Sequence, residues 1–409
     1  MVGSLPVTGL DRLVISHDGD EYVLGRPDLG IYVAVPEAGA VLVEVLRSGG
    51  SLAEATARAS RVAGAEVDAQ DFLDGLAAVG LWQPPAEPGA PAPAGRSRRG
   101  REIRWIEGVS PQAARRLFGP VAWSCYALAG AFVVAVLAAR PDLRPSYEHA
   151  WWLPDPVLSV LTLLPVTLLL AACHEAWHWL AGRAVGVSAV FRVSYRGIFL
   201  VFETDLTQIV ALPRRRRYGP YLAGVAFDGV VLAAALGLRL AHRSDLVALP
   251  AWLDRLLAAV VLALLLATVW QLAALFMRSD AYAVLANALR CHDLYRATWL
   301  TTKQRLWRLT HAEAAELASI SDHDRRVARW FGLLFLAGMV AMGWVAVAVT
   351  LPFLISMLGW VGHNLTHPSP TSLPFWESAA VATLVVGRYA AIPVLAWRER
   401  RLRAAGALR

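Results

Sequence analysis

The apolar positions of this chain follow two different rhythms. Up to about residue 84 they come in short bursts separated by turn signals; from residue 120 onward they come in long runs broken by arginines. In the first region, Asp11 to Ser16 and Glu21 to Leu24 flank His17-Asp-Gly-Asp20, a turn signal, and predict two short strands. Ile31 to Val35 runs apolar up to Pro36. Glu37 to Arg47, with Ala40, Val41, Val43, Val45 and Leu46, predicts a helix stopped by Gly49-Gly50. Ser51 with Glu54 three residues later has the capping-box pattern for a second helix. Val67 to Leu81 predicts a third, with Phe72, Leu73, Leu76 and Val79 as its apolar stripe. Strands followed by three short helices predict a small α+β, winged-helix-like domain over residues 1–84.

The second rhythm predicts a polytopic membrane helix bundle. Six apolar runs lie near 120–139, 157–181, 219–241, 251–277, 328–357 and 375–397. A helix needs ~20 apolar residues to cross a hydrocarbon core. The fifth run is long enough to bend or to lie at the interface beyond Leu351-Pro352. Between the two regions, residues 85–119 read as a Pro/Ala/Arg-rich linker with Arg96, Arg98, Arg99 and Arg101 and little to bury. The membrane-embedded domain then covers residues 120–409.

Composition sharpens this picture. Hydrophobic residues make up 56% of the 409, and mean hydropathy is +0.46, too apolar for an ordinary soluble protein. The net charge of +7 could signal nucleic acid, but the arginines flank the apolar runs, so anionic lipid and topology explain it and no nucleic-acid partner is expected. Arg214 to Arg217 is accordingly expected to be a juxtamembrane anchor. Arginines concentrate before the first run, between the second and third, between the fourth and fifth, and after the sixth. With an even number of spans, that bias predicts a multi-pass cell-membrane protein with both termini cytoplasmic. Met1 to Gly19 lacks the basic start and apolar core of a signal peptide, in keeping with a cytoplasmic start. Three cysteines, Cys125, Cys173 and Cys291, form no CxxC pair and no disulfide framework.

Chemistry concentrates where the second run ends, at His174-Glu175-Ala176-Trp177-His178. A helix stacks positions i and i+4, so His174 and His178 can share one zinc ion, and Glu175 is placed to act as general base toward a water. Ionisable groups in a membrane segment default to function because burying them is costly. A helix end with histidines facing headgroups is the plainer alternative. A catalytic zinc needs a third protein ligand, and two aspartates compete. Asp280 follows the inward-running fourth span, at the depth of His178. Asp228 lies a few turns into the third span among apolar neighbours and reads either as that ligand or as a residue supporting ligand or substrate. Glu203 and Asp205, in a turn-like stretch, line a substrate entrance or are solvated loop acids. Trp177 is an interfacial tryptophan or a wall of the zinc pocket. His292, His311 and His323 are not at ligand spacing and are expected at the surface.

The stretch His174 to His178 inside a membrane helix resembles the site-2 protease family of intramembrane zinc metalloproteases. The chain beyond His178 is closer to the family's peptide zinc metalloprotease branch: Phe202-Glu-Thr-Asp205-Leu206, then Ala211-Leu-Pro213 and the arginine run, then Ala223-Gly-Val-Ala-Phe-Asp228, in which the branch's proline is missing. Met277-Arg-Ser-Asp280-Ala-Tyr282 matches the family's third-ligand motif in its Asp and Tyr but lacks the usual Asn, Pro and Gly. The resemblance spans roughly residues 120 to 310. It implies a zinc endopeptidase with Glu175 as catalytic base and His174, His178 and Asp280 as metal ligands.

The N-terminal region resembles the PqqD-like peptide-recognition domain, on Val33-Ala-Val-Pro36 with Gly39-Ala40 and on Leu76-Ala-Ala-Val-Gly80-Leu-Trp82. Such a domain adds a leader peptide to its sheet edge. Together the two resemblances imply maturation of a ribosomally made precursor peptide, with other peptide-modifying enzymes as partners. Proteolysis of a membrane-anchored regulator, and a non-catalytic peptide receptor or export partner, are the competing expectations.

Overall fold

The computed structural model describes residues 10–18, 21–26, 31–82, 109–187, 190–196, 199–205, 207–273 and 275–404. Most of the linker therefore lies outside the described residues. The N-terminal unit is a three-stranded antiparallel meander followed by three helices. Strands β1 (Val14–Asp18), β2 (Glu21–Arg26) and β3 (Ile31–Val35) lie in the order β1-β2-β3, with Asp18 opposite Glu21 and Arg26 opposite Ile31. Helix α1 (Glu37–Arg47) buries Leu42, Val43, Val45 and Leu46. Helix α2 (Leu52–Ala63) is capped by Ser51, whose hydroxyl accepts from the Glu54 amide, and α3 (Ala69–Ala78) is capped by Asp68. Leu10, Leu24, Val35, Leu42, Leu73, Leu81 and Trp82 close one core. One position of the expected stripe departs from it: Val79 caps the C-terminus of α3 and is 47% exposed, because the helix ends a turn before the apolar pattern does.

The rest of the chain is almost wholly helical. Helix α4 (Pro111–Leu117) packs on α6, and Arg115 donates to the Ala184 carbonyl, so these residues belong to the helical body rather than to the linker. Helices α5 (Pro120–Ala139) and α6 (Pro156–Ala184) precede a hairpin of β4 (Val190–Arg196) and β5 (Phe199–Asp205). Glu203 and Asp205 thus lie in a strand, not in a turn. Helices α7 (Arg214–Arg243) and α8 (Ala251–Ala273) follow, then a cap of short helices α9 (Asp280–Ala288), α10 (Leu294–Leu306) and α11 (His311–Ser319). Helix α12 (Asp322–Val345) passes through five π-helical residues into α13 (Leu351–Thr366); α14 (Leu373–Ala404) is last.

Among the described residues, five helical stretches are long and apolar enough to cross a membrane: Pro111–Ala139, Pro156–Ala184, Arg214–Arg243, Ala251–Ala273 and Asp322–Thr366. The expected sixth run falls in α14, whose part Leu373–Gly387 is apolar; the side chains of residues 388–400 lie outside the described residues. The outward faces carry exposed Val121, Leu169, Leu272, Leu333 and Val340, the surface expected of helices solvated by lipid rather than water. Asp322–Thr366 holds 45 residues in one helical run, about 68 Å at 1.5 Å per residue. The π segment sits where Pro352 withholds an amide from the ladder.

Arg214 to Arg217 form the first turn of α7 rather than a free basic loop. Arg217 is buried, and its guanidinium donates to the carbonyls of Val210 and Leu212. That residue therefore closes the chain entry into α7, which corrects the expectation of a lipid-facing anchor at this position. Inside the bundle, α5, α7 and α8 share an apolar core of Val133, Leu143, Leu232, Leu236, Val261 and Leu264. Helix α7 touches α5, α6, α8 and α9. That central place puts its small residues against the histidine helix.

Candidate metal centre

Helix α6 carries His174 and His178 on one face, both buried. Their Nε2 atoms are 3.2 Å apart. Asp280, the first residue of α9, brings Oδ2 to 3.1 Å from both Nε2 atoms. Ser279 caps α9 by accepting from the Tyr282 amide and anchors itself on the Gln271 carbonyl, which fixes where the helix starts.

The outer contacts of the two rings decide their protonation. His178 Nδ1 lies 2.7 Å from the Pro220 carbonyl, which only accepts, so that nitrogen carries the hydrogen. His174 Nδ1 lies 2.8 Å from Asp228 Oδ2 and donates to the carboxylate in the same way. Each neutral ring then presents a bare lone pair at Nε2, and a carboxylate oxygen faces both. With both rings neutral, two imidazole nitrogens and one carboxylate oxygen converge on one point. Such a set repels itself unless a cation lies between the atoms, and these three side chains form a group able to hold a metal ion.

The structure thus separates the two competing aspartates. Asp280 faces the Nε2 atoms, whereas Asp228 lies on the far side of the His174 ring. An acid that accepts from the outer nitrogen of a histidine orients the ring and raises its basicity. The side chain of Asp280 is 31% exposed, against 11% for His174 and 4% for His178. The cluster is therefore open on the Asp280 side, where water or a substrate can approach.

Glu175, the neighbour of His174, is gripped from the hairpin. Its Oε2 accepts from the Thr204 amide at 3.0 Å, and its own carbonyl accepts from Thr204 Oγ1 at 2.8 Å. One carboxylate oxygen of Glu175 is held; among the described residues no hydrogen bond is seen to the other. Asp205 ends β5, with its side chain outside the described residues. Trp177 points away from the cluster. Its Nε1 donates to the Tyr126 hydroxyl, and its ring packs on Phe118 and Phe227, so it ties α6 to α5 and α7. Cys173 and the other two cysteines are free thiols.

Two participants lie outside the residues that the sequence singles out. A Cβ placed on Gly224 of α7 would fall 2.2 Å from His174 Nε2 and 2.4 Å from His178 Nε2. Gly224 therefore leaves the space between the nitrogens that a cation needs. Its only signal is a glycine inside a helix, a position that costs roughly 0.5–1 kcal/mol relative to alanine unless close approach requires it. Thr204 is the other participant; it falls within the Phe202-Glu-Thr-Asp205 stretch, but the sequence gives it no role at the cluster.

The fold and the site together define a class: a helical bundle with membrane-length apolar helices and a buried His–His–Asp cluster backed by a further carboxylate. Compared with family models, with curated proteins and with solved structures, the chain has no significant match.

Proposed function

We propose that this chain is a membrane-embedded zinc endopeptidase, with His174, His178 and Asp280 as the metal ligands and Glu175 as the general base. The observation that carries the reading is the convergence of three potential ligand atoms, His174 Nε2, His178 Nε2 and Asp280 Oδ2, on one point. Tetrahedral zinc with bonds of about 2.0–2.2 Å separates its ligand atoms by roughly 3.3–3.6 Å. The spacings of 3.1–3.2 Å here fall a few tenths short of that range, which small rotations of the side chains supply. Two imidazoles and one carboxylate leave a fourth position open, as catalytic zinc sites do. Bound there, zinc supplies a Lewis acid that polarises a peptide carbonyl and lowers the pKa of water to about 7.

The chain's own residues do the rest. Glu175 takes a proton from the attacking water on its free oxygen and passes it to the leaving amine, while the Thr204 amide holds the other oxygen in place. Asp228 and the Pro220 carbonyl keep both rings in the one tautomer that turns Nε2 inward. The opening beside Asp280 admits the scissile bond.

The substrate is a peptide, in the first instance a ribosomally made precursor held by a PqqD-like N-terminal domain. Two features support this. Among the described residues the outer edges of β1 and β3 pair with no strand, so either can accept one. Strands β1 and β2 also contact the turn Thr207–Ala211, directly after the hairpin that grips Glu175. A peptide held on that sheet is tethered near the cluster, which raises its local concentration. Six spans with cytoplasmic termini complete the reading and put the cluster near the cytoplasmic face.

The purified chain should lose one zinc equivalent on His174→Ala. Glu175→Gln should retain that zinc and lose cleavage of a quenched fluorescent peptide library by at least about 10³-fold. Full cleavage by the Glu175→Gln variant would remove the mechanism. An unchanged zinc content in His174→Ala would remove the site.

A further inference from the structure

Away from the histidine helix, Cys291, His323 and Asp324 bring one ligand atom each to within 4.8 Å of one another. The sequence separates Cys291 from the other two by more than thirty positions, and spacing alone makes His323 a plain surface residue. The fold joins them: Cys291 lies in the connection between α9 and α10, whereas His323 and Asp324 lie in the first turn of α12.

Asp324 is the informative member. It is 2% exposed. Its Oδ2 accepts from the amides of His292 and Asp293, both at 3.0 Å, and its own amide is capped by Ser321 Oγ. Its second oxygen, Oδ1, is buried and has no hydrogen-bond partner. Leaving one oxygen of a buried carboxylate unsatisfied costs free energy, so a cation or a donor belongs there. Beside it Cys291 offers sulfur, in weak contact with the Leu289 carbonyl at 3.7 Å, and burial together with the neighbouring Asp324 carboxylate pushes its thiol up to about 12. The His323 ring is anchored by Nε2, which donates to the same carbonyl at 2.8 Å and leaves the lone pair of the neutral ring on Nδ1. A backbone carbonyl that accepts from one ring nitrogen is the usual support of a metal-bound histidine.

We infer that Cys291, His323 and Asp324 form a second divalent-cation site that takes Zn2+ or Co2+. One thiolate, one imidazole and one carboxylate are a sulfur–nitrogen–oxygen set that suits borderline-soft ions and not Mg2+ or Ca2+. Binding forms a metal–sulfur bond and releases the thiol proton to solvent, with no change in oxidation state. The ion ties the end of α9 to the start of α12. Since Asp280 opens α9, it also steadies the helix that completes the first cluster.

The test uses the full chain in detergent, with Zn2+ or Co2+ alone as the probe. His174→Ala/His178→Ala empties the first cluster, and that variant should still hold one zinc equivalent. Adding Cys291→Ser and His323→Ala should remove it. Cobalt loaded into the His174→Ala/His178→Ala variant should give thiolate-to-metal charge-transfer absorption that Cys291→Ser abolishes. In the unmutated protein, Zn2+ should slow alkylation of Cys291 and not of Cys125, read by peptide mapping, which needs no variant to fold. Equal Cys291 alkylation with and without Zn2+, together with no charge-transfer band, would overturn the inference. The first cluster is tested separately, because its zinc depends on His174 and gives no thiolate signal.

Discussion

Two charged clusters sit at different heights along α7, and they solve burial in opposite ways. At the far end, Arg239 is 2% exposed, and its Nε donates to Asp254 Oδ1 of α8 at 2.9 Å; Arg243 reaches the other carboxylate oxygen at 3.2 Å. Cations meet an anion, and within the carboxylate both oxygens are used. Near the start of α7, by contrast, Asp228 and the Pro220 carbonyl engage the outer nitrogens of the two histidines, and the inner nitrogens converge on one Asp280 oxygen. One cluster pairs its charges across two helices, although Arg239 Nη1 stays buried without a hydrogen-bond partner. The other is incomplete as protein alone, and incompleteness in a buried, preorganised set of lone pairs marks a place for a ligand. Burial of charge in an apolar helix is thus not by itself a sign of function; what separates the cases is whether side chains of opposite charge meet or potential metal-ligand atoms converge.

The largest effect that would sharpen this contrast is at Gly224. Gly224→Val puts carbon where the cation belongs, so it should remove the bound metal of the first cluster entirely, measured by elemental analysis. The fold should survive, because no polar atom is lost. A zinc content in that variant no lower than in the unmutated protein breaks the assignment of the site. Next comes the closed cluster. Asp254→Ala leaves Arg239 buried without its anion and should cost about 3–5 kcal/mol of stability with metal content unchanged. The double replacement Arg239→Met/Asp254→Leu should recover most of that loss, measured by thermal unfolding in detergent. If the double variant is as unstable as the single, the pair does more than close a charge.

Smaller is Asp228→Asn, which keeps the shape but lets the His174 ring take either tautomer. Metal affinity should fall about 10–100-fold in chelator competition, and stability should change little. Smallest is Thr204→Val, which deletes the hydroxyl bond to the Glu175 carbonyl but leaves the amide bond to its carboxylate. A neutral hydrogen bond of about 1 kcal/mol corresponds to a roughly fivefold drop in cleavage rate, with metal content intact. An unaltered rate would show that the backbone amide alone positions the base.

Legibility from the sequence varies with the range of the interaction involved. Strand and helix positions in the first 82 residues follow from local rhythm and turn residues, since β1, β2 and α1 to α3 rest on neighbours close in sequence. The His174–His178 pair is equally local, one helical turn on one face. The apolar runs mark the helices but not their continuity, so Asp322–Thr366 is longer than its apolar centre suggests. The hairpin β4–β5 looks turn-like in sequence because its strands are short and lie between two far stronger apolar signals. Arg217 is indistinguishable in sequence from the three arginines before it, and only the carbonyls of Val210 and Leu212 single it out.

The order of apolar and polar residues was enough to determine five of the six expected membrane-length helices, two of the three N-terminal strands with their helices, and the paired histidines, because each depends largely on contacts close in sequence. Which acid faces the inner nitrogens, which glycine makes room for a cation and which strand grips Glu175 were decided by tertiary structure alone. Asp280 lies more than a hundred positions from His174, Gly224 about fifty and Thr204 about thirty from Glu175. No local period encodes a meeting across such separations; only the packing of α7 and α9 against α6, and of the hairpin against the same helix, brings those atoms within bonding distance.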